Sequence, residues 1–148
     1  MDKKTAMIEG VEEFSVEVAN AVRSLTSQLG QDSQELDDES IKEIIDSPVT
    51  HLYFARLSDT REIVGMVTLS VFRIPYRRRA WIDDIVVDQM HRSNGYGVQL
   101  LKYAMEMAKE KHAKILDLTS QPMRVSANKL YLSLGFKMRE TNVYRIDL

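Results

Sequence analysis

The sequence Trp81-Ile82-Asp83-Asp84-Ile85-Val86-Val87 is apolar except for two adjacent acids and is rich in β-branched residues, which predicts a long strand. It leads through Arg92-Ser93-Asn94-Gly95-Tyr96-Gly97 into a segment with apolar residues every three to four positions, which predicts a helix. Because this helix separates the strand from the apolar residues 115–119, the two strands are expected to pair in parallel.

The glycine loop between strand and helix predicts an anion site. Backbone N–H groups at the start of a helix lack partners within it, and the helix dipole favours negative charge there. Gly95 and Gly97 allow a tight bend and close approach, and Arg92 adds a cation, so the expected guest is a phosphate or pyrophosphate. The dinucleotide fingerprint fails because Leu100 replaces its third glycine, and no P-loop sequence is present. A glycine pair is also ordinary turn geometry, so both interpretations stay open.

The rest of the chain predicts a mixed α+β fold, a sheet with helices on its faces. The predicted helices are residues 11–29, 33–46, 98–108 and 126–134. The predicted strands are residues 51–57, 63–72, 81–87, 115–119, 136–138 and 143–146. Pro75 and the arginines 77–79 interrupt the pattern and are interpreted as a solvated hairpin loop.

Composition restricts the kind of protein. A chain of 148 residues with 44% hydrophobic residues is expected to form one domain over residues 1–148. It has neither the ~20-residue apolar run of a membrane span nor a signal peptide, so a cytoplasmic protein without a membrane partner is expected. A net charge of -2 argues against nucleic acid, except for a local contact at the arginines 77–79. Without cysteine there is no thiol chemistry, and the three histidines lack metal-ligand spacing, so no metal is expected.

Three motifs resemble the GNAT superfamily of N-acyltransferases. The loop matches the signature Arg/Gln-x-x-Gly-x-Gly/Ala, and the strand before it is of the family's kind. The sequence Ala127-Asn128-Lys129-Leu130-Tyr131-Leu132-Ser133-Leu134-Gly135-Phe136 is similar to the family's Ala-x-x-Leu-Tyr-x-x-x-Gly-Phe ending. The resemblance covers residues 81–136. It implies a mostly antiparallel sheet with central splayed parallel strands and flanking helices, in an N-acetyltransferase that transfers acetyl from acetyl-coenzyme A to a primary amine by direct attack.

The resemblance also implies how the cofactor binds. Coenzyme A would lay its pyrophosphate on the loop amides and extend its pantetheine arm along the strand, where an extended amide chain pairs with backbone groups left open by a diverging neighbour. The implied cofactor-binding residues are Ile85, Val86, Val87, Arg92, Ser93, Asn94, Gly95, Tyr96, Gly97 and Asn128. Many family members carry asparagine seven positions before the tyrosine, where this chain has Arg124, and Asn128 is the candidate for that contact.

The implied catalytic residues are Tyr131, as general acid, and Asp83 or Asp84, as base directly or through a water. Because neighbours on a strand face opposite sides, only one acid can point at the acceptor unless a bulge intervenes. Each assignment has a structural alternative. The acids would be solvated or ion-paired to the arginines 77–79, and Tyr131 would be a core residue with a satisfied hydroxyl.

The acceptor is expected to be a small-molecule amine or a protein amino group. Several acidic residues near the predicted second helix suit a cationic amine, or form a solvated helix face. They are Asp32, Glu35, Asp37, Asp38 and Glu39. The alternative function is a non-catalytic acyl-coenzyme A sensor or interaction module without a working base. A homodimer that pairs through the C-terminal strands is common among proteins that this chain resembles.

Overall fold

The computed structural model describes residues 5–30 and 36–148, and these residues form two compact units that divide between Leu118 and Thr119. The strands of the first unit are β1 (Ala6–Gly10), β2 (Thr50–Leu57), β3 (Ile63–Ile74), β4 (Arg77–Val87) and β5 (Ile115–Asp117). Its helices are α1 (Val16–Thr26), α2 (Asp38–Asp46), a 3₁₀ helix (Gln89–His91) and α3 (Tyr96–Glu110). The second unit contains α4 (Val125–Ser133). In the described part of the chain, no helix has the length and apolar character to cross a membrane.

The strands form one five-stranded sheet in the order β1-β2-β3-β4-β5. All neighbours are antiparallel except β4 and β5, which are parallel. The parallel pairing is short, from Arg79 opposite Ile115 to Trp81 opposite Asp117. This confirms the predicted mixed α+β fold, with a mostly antiparallel sheet and parallel strands that separate.

Helices pack on both faces of the sheet. Helices α1 and α2 bury an apolar cluster against β2, β3 and β4, and this burial is a main source of stability. The buried members are Ala19, Val22, Leu25, Ile41, Leu52, Phe54, Met66 and Val86. Helix α3 covers the other face, where a Cβ on Gly97 would lie 3.7 Å from Cγ2 of Val87. These contacts hold the C-terminal end of β4, at Val86 and Val87, between α1 and α3.

The sequence does not predict β1. This strand pairs with β2, and Arg56 Nε donates a hydrogen bond of 2.6 Å to Glu9. The apolar spacing that starts at Val11 predicts a helix longer than the one observed. Helix α1 begins only after Ser15, whose hydroxyl caps it by accepting a hydrogen bond of 3.1 Å from the N–H of Val18. The predicted start of the second helix at residue 33 lies outside the described residues. Its described part begins after the cap Asp37.

The interpretation of the arginines 77–79 as a loop is wrong. These residues begin β4, and only Pro75 and Tyr76 form the turn between β3 and β4. Arg73 lies opposite Arg78 in the ladder. Pairing with β3 extends β4 through three consecutive charged residues, because strand formation depends strongly on the neighbouring strand.

The predicted final pair of strands is also wrong. Residues 136–148 form neither helix nor strand, and the side chains of Val143, Tyr144 and Ile146 are exposed. The alternation of residue types is typical of a strand, but a strand is stable only when it is paired and one face is buried. Composition alone does not supply that pairing.

Gly65 lies in β3 where the backbone of β4 and a side chain of α3 approach closely. A Cβ at this position would lie 3.0 Å from Cδ1 of Leu100 and 3.0 Å from the carbonyl oxygen of Val86. A backbone oxygen within the sheet has little freedom to move away. We therefore expect Gly65→Ala to lower the free energy of unfolding by about 1–3 kcal/mol, the usual cost of overpacking.

Urea denaturation of the two proteins measures this loss. Gly10→Ala in β1 is the matched control, because a Cβ there would be 3.7 Å from Cε1 of Tyr53, an ordinary contact. The control should change stability by no more than about 0.5 kcal/mol. Equal stability of the Gly65→Ala variant and the unmodified protein would contradict the close approach.

Candidate functional site

The edge of β4 becomes open where β5 diverges. Pairing with β5 ends at Trp81, so in the first unit no described strand pairs with residues 82–87 on that side. On the other side the ladder with β3 continues, with one irregularity, as far as Val87 opposite Gly65. An edge of this kind can pair with an extended amide chain as it would with a strand. At its end the Val87 carbonyl accepts a 3.2 Å hydrogen bond from Arg92 Nε.

A β-bulge lies in the middle of this open edge. Asp83 lies opposite Thr68 and Val86 opposite Met66, so two residues of β4 oppose the single residue Val67. Asp84 is one of the two and has a φ of 50°, in the left-handed region. The bulge removes the strict alternation of the strand, so both Asp83 and Asp84 reach solvent, although surrounding protein atoms partly desolvate the Asp84 carboxyl.

The two acids have different surroundings. Trp81 Nε1 donates a hydrogen bond of 3.2 Å to Asp83 Oδ1. Desolvation of the Asp84 carboxyl, reinforced by the neighbouring charge of Asp83, raises the pKa of Asp84 above its ordinary value of 3.8. A carboxyl group with a raised pKa is a better proton acceptor near neutral pH than an ordinary one.

The ion-paired form of the structural alternative, with the arginines 77–79 as partners, is wrong for the described residues, whereas the exposure of both acids agrees with the solvated form. Neither Asp83 nor Asp84 forms an ion pair with any of them. Arg79 pairs instead with Asp117 of β5, at 2.9 Å between Nη2 and Oδ2. The carboxylates at the bulge therefore carry charge that no arginine neutralises.

The loop after β4 is built by two left-handed residues, Ser93 with φ 67° and Gly95 with φ 84°. Asn94 braces it, because its Nδ2 donates to the carbonyl of His91 at 2.8 Å. Gly95 is the cap residue of α3, and no side chain caps this helix terminus. The first N–H groups of α3 are thus presented at a terminus that carries no acidic residue in its first turn.

The two glycines of the loop serve different purposes. A Cβ on Gly95 would meet nothing within 4 Å, so glycine is favoured there by its left-handed conformation and not by crowding. A Cβ on Gly97 would make only an ordinary contact of 3.7 Å with Val87. The fold itself therefore has room for a side chain at position 97. The uncapped terminus, the neighbouring Arg92 and the open edge of β4 together fit a phosphorylated ligand with an extended amide arm.

A support behind the loop was not predicted from the sequence. Gln28, after α1, donates from Nε2 to Asp88 Oδ2 at 2.9 Å and accepts from the N–H of Gln89 at the same distance. The hydrogen bond from Gln28 lowers the pKa of Asp88, with help from Met90 and His91. These residues are about 60 positions apart in sequence, and no local pattern indicates such a contact.

The second unit contains the two remaining predicted site residues, Asn128 and Tyr131. Asn128 Nδ2 donates to the carbonyl of Gln121 at 3.0 Å, which ties the preceding turn to α4. Tyr131 is buried, and its ring packs edge-on against Phe136 with 6.0 Å between centroids. The structure thus groups the two acids, the open edge and the loop in the first unit, and places Asn128 and Tyr131 in the second.

Comparison with protein families identifies the class of protein. Residues 18–136 match the Acetyltransferase (GNAT) family. The protein is therefore an acyltransferase. It belongs to the GNAT acetyltransferase family, whose members use acetyl-coenzyme A, and this confirms the resemblance seen in the sequence.

Solved structures show the same fold. A transcriptional regulator from Bacillus halodurans C-125 is 25% identical, with a TM-score of 0.77 over 97% of this chain and 100% of that one. A putative acetyltransferase from Agrobacterium tumefaciens str. C58 is 18% identical, with a TM-score of 0.82 over 95% and 99%. The protein AAC(6')-Iy, in complex with the bisubstrate analogue CoA-S-monomethyl-acetylneamine, is 16% identical, with a TM-score of 0.79 over 97% and 99%. No curated protein sequence matches this chain.

Proposed function

We propose that this protein transfers the acetyl group of acetyl-coenzyme A to a primary amine by direct attack within a ternary complex. The observation that carries the proposal is the open edge of β4, which leads directly to an uncapped helix terminus. The thioester supplies an activated acetyl group, so the protein needs no covalent intermediate. Its residues need only hold both reactants, accept a proton from the amine and donate one to the leaving thiolate.

Cofactor binding is assigned to the first unit together with one residue of α4. The backbone of Ile85, Val86 and Val87 would pair with the pantetheine arm, and we expect the arm to displace Arg92 from the Val87 carbonyl. The released guanidinium is then free to meet the pyrophosphate, which the amides of residues 92–97 would hold. Asn128 is the proposed contact to the arm. Its Nδ2 would have to leave the Gln121 carbonyl to donate a hydrogen bond to the arm, whereas its Oδ1 could accept one without that change.

Proton transfer is assigned to the two acids and Tyr131. Asp84 is the stronger candidate for the base, because its pKa is raised and the bulge exposes it beside the open edge. Asp83 is held by Trp81 and acts on Asp84 through its charge. Tyr131 is the proposed general acid.

The proposed acceptor is a cationic primary amine, and an aminoglycoside is one member of that class. The uncompensated charge of Asp83 and Asp84 favours such an amine, and the AAC(6')-Iy complex holds an analogue of acetylated neamine. The acidic residues near α2 contribute less to the attraction of a cationic amine than their number suggests. Asp38 pairs with Arg23, and Asp37 caps α2. Asp32 and Glu35 lie outside the described residues.

A panel of amines tests the proposal. The purified protein is incubated with acetyl-coenzyme A and either aminoglycosides, polyamines, amino acids or peptides, and thiol release is followed. We expect release that depends on the amine, with cationic amines ahead of zwitterionic ones. Tight binding of coenzyme A without transfer to any amine would instead support the alternative function, a non-catalytic sensor.

The prediction of a single domain over residues 1–148 and that of a homodimer stay predictions.

A further inference from the structure

A small open cavity lies in the first unit, away from the glycine loop. Its volume is about 230 Å³, and it is bounded by the starts of β2 and β4, the middle of β3 and the residues just after α3. The lining residues are Pro48, His51, Val71, Arg78, Lys111 and His112. We call it the α3 end pocket. Helix α3 has 15 residues, about 22 Å at 1.5 Å each, and this length separates the pocket from Gly95.

Every ionisable side chain that lines the α3 end pocket is basic. Arg78 and Lys111 form no ion pair with a carboxylate among residues 5–30 and 36–148, whereas Arg79, next in β4, is paired with Asp117. Lys111 is half-buried and lies close enough to His51 to lower its pKa. Cations gathered in one concavity repel each other unless an anion joins them.

The backbone at His112 supports a functional role for this histidine. It has a φ of 63°, and the N–H of the next residue, Ala113, donates to the carbonyl of Ala108 at 3.0 Å. The N–H of His112 itself donates to Lys109 at 2.9 Å. Helices commonly close in this way with glycine in the left-handed position. A larger residue there costs energy, and such strain often marks a functional site.

We infer that the α3 end pocket is a second ligand site, which binds a small oxyanion of the phosphate or sulfate type. Arg78 and Lys111 supply fixed positive charge from two sides, and His51 and His112 add ring N–H donors. The volume is below the ~300–1,000 Å³ usual for larger organic ligands, which favours a small anion over a nucleotide. The inference does not depend on the proposed acetyl transfer.

Binding is expected to strengthen as the pH falls. Burial, reinforced by the charge of Lys111, lowers the pKa of His51, so the empty pocket favours the neutral form of this ring. The groups that face it are Arg78 from β4 and Lys111 and His112 from the end of α3, whereas Pro48 and Val71 do not titrate. A bound dianion would raise the pKa of His51, so binding would take up a proton.

A sulfate titration followed by NMR tests the site, since sulfate remains a dianion across the pH range of histidine. The ionic strength is kept constant with sodium chloride. The chain has three histidines, so their ring C–H signals can be assigned with single variants. We expect the signals of His51 and His112 to follow one saturating curve and the titration midpoint of His51 to rise. His91, just before the glycine loop, reports separately on anion binding there.

Two variants and a control make the result specific. Lys111→Gln and Arg78→Gln should each weaken sulfate binding by about tenfold, the usual size for a lost charge-assisted contact. Lys102→Gln, on an exposed position of the same helix, should leave it unchanged. Lys111 caps α3 through its backbone N–H, so its substitution should not unfold the helix end. Signals that rise linearly with sulfate, or equal midpoints in the Lys111 and Lys102 variants, would overturn the inference.

Discussion

Replacement of Tyr131 by phenylalanine is expected to lower kcat by about 10²- to 10⁴-fold, the usual contribution of a positioned general acid. The change removes only a hydroxyl group. The ring that is buried and packed edge-on against Phe136 remains, so stability and the affinity for acetyl-coenzyme A should change little. Steady-state kinetics at saturating amine, together with calorimetry of cofactor binding, separate the two effects.

Tyr144→Phe is the matched control, because Tyr144 lies in the same unit and is exposed. A second donor, acetyl-seleno-coenzyme A, distinguishes a lost proton donor from a small change in packing. A selenol is more acidic than a thiol and needs less protonation as it leaves, so the deficit of the Tyr131→Phe variant should shrink with this donor. Equal deficits with both donors, or an unchanged kcat, would remove Tyr131 from the role of acid.

The parts of the fold that the sequence predicts correctly are set by near neighbours in the chain. Residues 82–87 form a strand because their side chains are mostly β-branched. The loop can bend at Gly95 because glycine readily adopts the left-handed conformation found there, with a φ of 84°. The helix after the loop follows from its apolar spacing. These local features also carry the family motif, which is why the family was identified from residues 81–136.

The features that escaped prediction depend on contacts distant in sequence. The bulge at Asp84 exists only in the register between β3 and β4, and the contact of Gln28 with Asp88 joins α1 to the end of β4. The strand assignment of the arginines 77–79 follows from pairing with β3, against their composition. Residues 136–148 show the reverse, since a strand-like composition without pairing leaves them irregular. The propensities of individual residues therefore cannot predict which segments pair as strands.

Contacts made in the fold, and not the local sequence, also distinguish the two candidate bases. From the sequence, Asp83 and Asp84 are adjacent acids of equal standing, and the choice between them stays open. The fold makes them different, because Asp83 accepts a hydrogen bond from Trp81, whereas Asp84 is partly desolvated in a left-handed conformation. Functional positions are often non-glycine residues with a positive φ, and their pKa values are often shifted.

Asp84→Asn is therefore expected to lower kcat/KM by about 10²- to 10⁴-fold, as for the loss of a general base. The variant should be no less stable than the unmodified protein. Because the pKa of Asp84 is raised in the folded state, its ionised form is disfavoured there, and the stability it contributes at low pH is lost as the pH rises through that pKa. Asparagine removes this cost and tolerates a φ of 50°. Thermal unfolding at pH 7 measures this, and it separates lost activity from lost structure.

Asp83→Asn provides the contrast. The activity of the unmodified enzyme should fall as the pH drops through the raised pKa of Asp84, because the base must be ionised to accept a proton. Removal of the neighbouring charge at position 83 should lower that pKa, so the acidic limb of the pH profile moves to lower pH while kcat at pH 8 changes only a few-fold. If Asp83→Asn caused the larger loss and left the acidic limb in place, Asp83 would be the base and Asp84 the modulating charge.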